Sequence, residues 1–406
     1  MGSIYVPDGS DFPKSADVVV IGGGIVGVAT AFWCSRAGLD TVLLEMRAGL
    51  STLTTPNSVE CFRAQFTEST MVALAKPSIE IFDHFADVIG IPGYDISVHH
   101  QGYLFMSDDE KMLPNMKAAV ARHRELGVPD SEFLTGDDVK RRFPFVADTV
   151  VGATFRQNDG WLSAHEATQG FAKGCDARFL VNTKAIRVLV DSSGVCGVET
   201  SRGTILTRTV VDAAGPFCAA VASTVGITLP VEPVRRQKVF ITPNKLIPQD
   251  APFTVDLVNG SYWRPEVGGA LLGWVDPEEP VGEPLESEKL PLDWDFPAIV
   301  IEKLIRLNPF FEDVADGLKR ENVRVSAGQY VYTPDDQPLI GPIPDVLGFY
   351  VNCGYWAGVM LSPQAGRRVA DLIAGKMKPG DNPLRPTRYA EGVKTEDGSS
   401  FLSGRH

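Results

Sequence analysis

The chain has 406 residues, of which 44% are apolar and 22% charged, and its formal net charge is −13. That length and balance suit a soluble protein of two domains with sizeable cores. The acidic charge argues against binding nucleic acid or an anionic membrane by general electrostatics, although a local site can still take an anionic substrate. No apolar run is long enough to span a membrane, and the N-terminus lacks the basic and apolar regions of a signal peptide, so a cytoplasmic location is expected. The six cysteines, Cys34, Cys61, Cys175, Cys196, Cys218 and Cys353, show no C-x-x-C spacing and no metal-like pairing with histidine. They read as free thiols, and no metal is expected. A homo-oligomer is compatible with this composition.

The first informative element is Asp17 to Gly27. An apolar run, Val18 to Ile21, meets Gly22, Gly24 and Gly27 at G-x-G-x-x-G spacing. A helix-compatible run, Val28 to Arg36, follows, and a second apolar run, Thr41 to Leu44, ends in Glu45. This is strand, phosphate turn, helix, strand, acid: a dinucleotide-binding unit. Gly22 permits the tight turn, Gly24 has no Cβ to block a pyrophosphate, and Gly27 lets helix and strand lie close. The helix N-terminus favours the anion. Glu45 can accept hydrogen bonds from ribose hydroxyls and disfavours a 2′-phosphate. This turn alone leaves NAD and FAD both open.

Farther along, Arg178 to Val190 and Val195 to Asp212 alternate apolar and polar residues and read as strands. They lead into VVDAAGPFC, where Ala214 and Gly215 precede a helix over Cys218 to Val225. Val239 to Ile241 reads as strand, and Ser261 to Pro265 with Gly269 to Val275 as a hairpin. Residues 276–296 are rich in Pro, Glu and Asp and predict a surface loop. Asp295 to Leu307 has helical spacing. A last segment runs from Tyr332 to Leu361 into a helix over Ser362 to Ile373, and beyond Pro379 the chain is polar and reads as loosely held. The expected organisation is α/β: a Rossmann-type dinucleotide-binding domain (1–85, 160–228 and 333–385) interleaved with an α+β substrate domain on an antiparallel sheet (86–159 and 229–332), then a polar tail (386–406).

Three motifs together carry a resemblance: GGGIVG with Glu45, the DAAGPF turn, and TPDDQPLIGP followed by GFYVNCGYWAGVMLSPQAGRRVADLI. The combination resembles the D-amino-acid oxidase-like flavoprotein superfamily, which includes sarcosine oxidases, glycine oxidase and L-amino-acid oxidases and deaminases. The resemblance covers nearly the whole chain and implies FAD. It further implies flavin contacts from Gly22, Gly24, Ile25, Val26, Gly27, Glu45, Met46, Arg47, Ser51, Thr52, Thr54, Thr55, Ser58, Ala185, Ala214, Gly215, Gly354, Gly358, Val359, Met360 and Leu361. A helix N-terminus near Leu361 would stabilise the negative charge a flavin gains on reduction. The family's covalent flavin cysteine falls near Gly328, where this chain has none, so the FAD is expected to be non-covalent.

In this family a hydride passes from the substrate α-carbon to flavin N5, and the protein chiefly orients a carboxylate and excludes water. The carboxylate wants an arginine, and Arg63 in SVECFRAQF is the candidate. Gln65 reads as a solvated side chain. Trp356, Tyr262, Tyr332, Tyr355 and Gln237 are candidate pocket walls. Arg264 before Pro265 looks structural, and His99, His100 and His165 are not spaced for a metal. Leu271 and Met360 stand where sarcosine oxidases carry lysines, which points to a more apolar pocket and a primary amino acid with a hydrophobic or large side chain. An L-amino acid is the leading substrate class, ahead of an N-methyl amino acid such as sarcosine or dimethylglycine, and of a D-amino acid. The electron acceptor, oxygen or a quinone, stays open.

Overall fold

The computed structural model describes residues 2–393. A seven-stranded sheet runs in the order Ser3–Tyr5, Arg178–Leu180, Thr41–Leu44, Val18–Ile21, Val210–Asp212, Phe349–Cys353 and Leu339–Pro342. Every neighbouring pair is parallel except the last. Val18–Ile21 and Thr41–Leu44 are buried along their whole length. Their unbroken apolar runs follow from cover on both faces. The helix Ile25–Arg36 packs so closely on the helix Gly358–Ile373 that a Cβ at Gly366 would lie 2.7 Å from the Ala29 backbone.

A second sheet has eight strands, ordered Val323–Tyr332, Glu232–Ile241, Gly269–Trp274, Ser261–Glu266, Phe253–Asp256, Tyr103–Ser107, Gly152–Arg156 and Glu132–Thr135. All pairs are antiparallel except Phe253–Asp256 with Tyr103–Ser107. Period-2 alternation divides its faces. Trp263 packs against Phe310 and Phe311, with ring centroids 5.2 and 5.4 Å away, beside the helices Phe296–Ile305 and Phe310–Asp316. Its neighbour Tyr262 projects from the opposite face. A short antiparallel pair, Cys61–Phe62 with Gly160–Trp161, precedes Arg63.

Several sequence expectations are corrected here. The two long strands expected over 178–212 are five shorter ones. Arg178–Leu180 and Val210–Asp212 join the parallel sheet, while Ala185–Asp191, Gly194–Thr200 and Gly203–Leu206 form a separate antiparallel sheet. The first break holds Asn182 at φ 50°, in the left-handed region that an extended strand does not accommodate, and the turns before the third and fourth strands lead into Gly194 at 103° and Gly203 at 149°. The last helix begins at Gly358 rather than Ser362, with Pro363 inside it. Proline lacks the N–H that would reach Val359 O, and the Ser362 hydroxyl donates to that oxygen at 3.0 Å instead. The stretch beyond Pro379 is anchored: Leu384 and Arg388 are fully buried, and Arg388 bridges Asp335 at 2.9 Å. Of the expected tail, 394–406 lie outside the described residues. No helix among those described is long and apolar enough to cross a membrane.

Candidate active site

Two adjoining cavities lie between the sheets. The larger, of about 500 Å³, runs from the Gly22 turn past Glu45, Ala185 and Ala214 to Tyr330 and Trp356. The smaller, of about 120 Å³, is lined by Arg63, Tyr103, Phe105, Arg236, Tyr262 and Met360 among others. Ser58, Tyr330, Trp356, Gly358 and Val359 border both.

Backbone shapes the glycine end of the larger cavity. Gly22 sits at φ 116°, and a Cβ there would lie 2.4 Å from Ala213 O; at Gly27 it would lie 1.9 Å from Gly22 O. Glu45 accepts from Gly23 N and Arg47 N, each at 2.7 Å. Burial raises its carboxyl pKa, and these N–H donors oppose the rise. Thr55 Oγ1 accepts from Ile25 N at 3.2 Å, which ties the next loop to the helix start. Thr54 Oγ1 lines the cavity and finds no protein partner among the described residues. A cradle that no Cβ fills, an acid one strand away and an orphaned hydroxyl all fit FAD.

Most of the expected cofactor residues line this cavity: Gly22, Gly24, Ile25, Val26, Glu45, Met46, Thr52, Thr54, Thr55, Ser58, Ala185, Ala214, Gly215, Gly354, Gly358 and Val359. Five do not. Gly27 is spent on helix–turn packing. Arg47 turns outward to Glu286, at 2.8 Å, and to Glu288. Ser51 is buried behind the glycine turn, its N–H on Gly23 O at 2.9 Å. Met360 lines the smaller cavity, and Leu361 lines neither. The helix N-terminus that faces both cavities is therefore Gly358, one turn earlier than expected. Sequence reading missed Pro284, Leu285 and Glu286, which fold over the larger cavity from the expected surface loop. Leu285 N donates to Gln329 Oε1 at 2.8 Å, a link only tertiary structure makes.

In the smaller cavity Arg63 is only 2% exposed. Its guanidinium carbon lies 3.9 Å from the Phe66 ring centroid, 5.2 Å from Phe105 and 5.8 Å from Trp356, and Nη1 donates to Gln65 O. Burial lowers its pKa, with Tyr103, Glu68 and Asp159 opposing. Trp356 is held by a 2.9 Å bond from Nε1 to Asp336 O. Tyr262 faces the cavity and stacks on Phe253 at 5.5 Å. A Cβ at Gly273 would lie 2.2 Å from the Tyr262 ring, so glycine makes its seat.

Other expected wall residues are corrected. Gln237 points away from both cavities and accepts from Asp293 N at 2.7 Å. Its neighbours on the alternate face, Arg236 and Lys238, approach the site. Tyr332 lines neither cavity, being buried behind Tyr330 with its hydroxyl accepting from Arg236 at 3.2 Å; Tyr330 takes the wall position. Gln65 is fully buried and donates to Tyr103 O and Asp159 Oδ2 at 2.9 and 3.1 Å. Leu271 lines neither cavity. The apolar pocket expected from Leu271 and Met360 is thus offset by a second cation, Arg236. Tyr355 lines the larger cavity, not the smaller. Arg264 is structural as expected, paired with Glu266 and, at 3.8 Å, with Glu60.

Lys238 was not singled out from sequence. Its ammonium donates to Pro56 O and Ser58 O at 2.8 and 2.7 Å and so pins the loop bordering both cavities. Burial lowers its pKa to about 8. Two cysteines touch the cavities, Cys353 the larger and Cys61 the smaller. A hydrogen bond with Cys218 and burial push the Cys353 thiol up, and burial does the same at Cys61. Neither is a thiolate nucleophile, and Gly328 carries no side chain, which fits a non-covalent flavin. No group of metal ligands occurs among the described residues.

Comparison with known proteins agrees with this fold. The L-proline dehydrogenase of P. horikoshii superposes with a TM-score of 0.82 at 27% identity, over 94% of this chain and 99% of that one. Glycine oxidase of Geobacillus kaustophilus is 26% identical over 94% of this chain and 99% of its own length. Human sarcosine dehydrogenase is 27% identical over 89% of this chain, but only 40% of its own length is matched. Human dimethylglycine dehydrogenase is likewise matched over 45%, so the chain spans under half the length of these relatives. Residues 17–372 match the family model described as DAO, FAD dependent oxidoreductase, and the chain belongs to that family.

Proposed function

We propose that the chain oxidises the C–N bond of an amino acid, with an L-amino acid as the leading substrate class. FAD supplies the hydride acceptor, flavin N5, when bound. Gly22, Gly24, Glu45 and Ala214 would hold its ADP end, and Thr54, Ser58, Gly354 and Gly358 its flavin end. The parallel sheet and the eight-stranded sheet would be the cores of the two domains.

Arg63 binds the substrate carboxylate, and its burial among aromatic rings strengthens that ion pair by excluding water. Trp356 and Tyr262 wall the substrate and fix the direction of its Cα–H bond. The amine enters neutral. Hydride leaves Cα with both electrons of the C–H bond and nitrogen gives up a proton, leaving an imine. Water then adds to the imine carbon, and ammonia departs to give a keto acid. Oxygen as acceptor would yield hydrogen peroxide; a quinone would take the electrons otherwise. The single observation that carries this reading is a buried arginine in a small aromatic chamber that shares a wall with the dinucleotide cavity.

Anaerobic mixing with D-amino acids, L-amino acids and N-methyl glycines tests it. Bleaching of the flavin by an L-amino acid is expected, and a holoenzyme that none of them bleaches overturns it. An N-methyl amino acid is the second reading, favoured by the likeness to sarcosine and dimethylglycine dehydrogenases. A D-amino acid follows. Reoxidation in air separates oxidase from dehydrogenase.

A further inference from the structure

The smaller cavity holds two arginines, not one. Arg63 and Arg236 both line it, and a row of three rings leads away from Arg63. Arg63 lies 5.9 Å from the Tyr103 centroid; Tyr103 is 4.2 Å from Phe253, and Phe253 is 5.5 Å from Tyr262. The Arg236 guanidinium carbon lies 5.5 Å from the Tyr332 ring centroid, and Tyr332 is 6.3 Å from Tyr330, which lines the same chamber.

Arg236 differs from other arginines that are partly or fully buried. Arg235 pairs with Glu279 at 2.7 Å, Arg156 with Asp130 and Asp159 at 2.8 and 2.6 Å, and Arg264 with Glu266. Among the described residues Arg236 meets only neutral acceptors, Asp276 O at 3.1 Å, Arg235 O at 3.5 Å and the Tyr332 hydroxyl at 3.2 Å. Its Nε is buried without a partner. A partly buried cation with no carboxylate is costly unless an anion compensates it. The one carboxylate bordering the chamber, Glu60, already faces Arg264 at 3.8 Å and the Lys238 charge. The chamber is therefore lined by two cations and by aromatic rings.

We propose that this chamber takes an amino acid bearing a second acidic group, with the α-carboxylate on Arg63 and the distal carboxylate on Arg236. This rests on the amino-acid reading above and narrows its substrate class to dicarboxylic amines. A single-carboxylate substrate would leave the Arg236 charge uncompensated.

The test compares glutarate with butyrate, two unreactive acids of similar chain that differ by one carboxylate. Each is titrated into the FAD-loaded protein and followed by flavin absorbance and by the thermal midpoint. Glutarate is expected to bind at least about 10-fold tighter than butyrate. R236Q should weaken glutarate about 10- to 100-fold and leave butyrate within about twofold. R63Q should weaken both. Equal affinity of the two acids for the wild-type protein overturns the proposal without any variant, and so does equal weakening of both by R236Q. Loss of glutarate preference in R236Q alongside unchanged binding in R63Q would instead sink the role of Arg63 and leave Arg236 standing. Failure of glutarate to bind the wild-type protein overturns this proposal, while the amino-acid reading stands or falls by flavin bleaching alone.

Discussion

The two cavities are built from different materials. The larger is shaped at both ends by backbone: turns at Gly22 and Gly354 with positive φ, a helix start at Gly358, and N–H groups converging on Glu45. The smaller is shaped by side chains drawn from distant strands, with Arg63, Tyr103, Arg236 and Tyr262 meeting across a sheet. A backbone site depends on local conformation and tolerates change poorly. A side-chain site depends on which residues face inward, so single substitutions change what it binds before they change whether it folds.

The largest effect should come from the backbone site. G27V forces a branched side chain onto Gly22 O, where even a Cβ would lie 1.9 Å away. A loss above about 4 kcal/mol is expected, seen as colourless or insoluble protein. A yellow, soluble G27V would break the contrast. Next comes R63Q, which should keep its FAD and lower kcat/KM by about 30- to 1000-fold, equivalent to about 2–4 kcal/mol. Parallel loss of FAD would show that the two cavities are not separable.

Lys238 sits on their border and supplies a pH test. Its pKa falls from 10.5 unfolded to about 8 folded. Between those values the unfolded chain binds the extra proton, so stability rises with pH across that window. The gain is about 3 kcal/mol by about 1.4 kcal/mol per unit, and it is absent below the folded value. Thermal midpoints from pH 8 upward should rise less in K238M than in the wild type. Identical pH slopes would mean that Lys238 does not carry its charge into the site. The smallest effect is expected from G273A, whose new methyl must displace the Tyr262 ring. About 1 kcal/mol is expected in substrate binding, read as a rise in KM with FAD content unchanged.

Legibility in the sequence followed the same division. The glycine turn, Glu45 and the Ala214–Gly215 turn could be placed because each works through neighbours a few residues away. Arg63 could be placed only through family resemblance. Gln237 was misplaced by one residue on a strand, which reverses the face a side chain presents, and so Arg236 and Lys238 were overlooked. Tyr332 was favoured over Tyr330, two residues away on the same face; only the depth at which the strand crosses the cavity separates them. The loop at Pro284 to Glu286 gave no local signal at all, since its polar composition reads as surface until the Gln329 side chain ties it down.

By itself, then, the amino-acid order determined the dinucleotide unit and the α/β class, while the choice of FAD over NAD came only through the family resemblance. Those rest on short-range rules: a glycine where φ is positive, an apolar run where both faces are covered, an acid at the end of the next strand. Only the tertiary structure decided what surrounds the substrate. Arg63 and Arg236 are 173 positions apart in the chain, and their sharing one chamber follows from the packing of the loop after Cys61–Phe62 against the eight-stranded sheet. No local pattern of residues encodes that pairing.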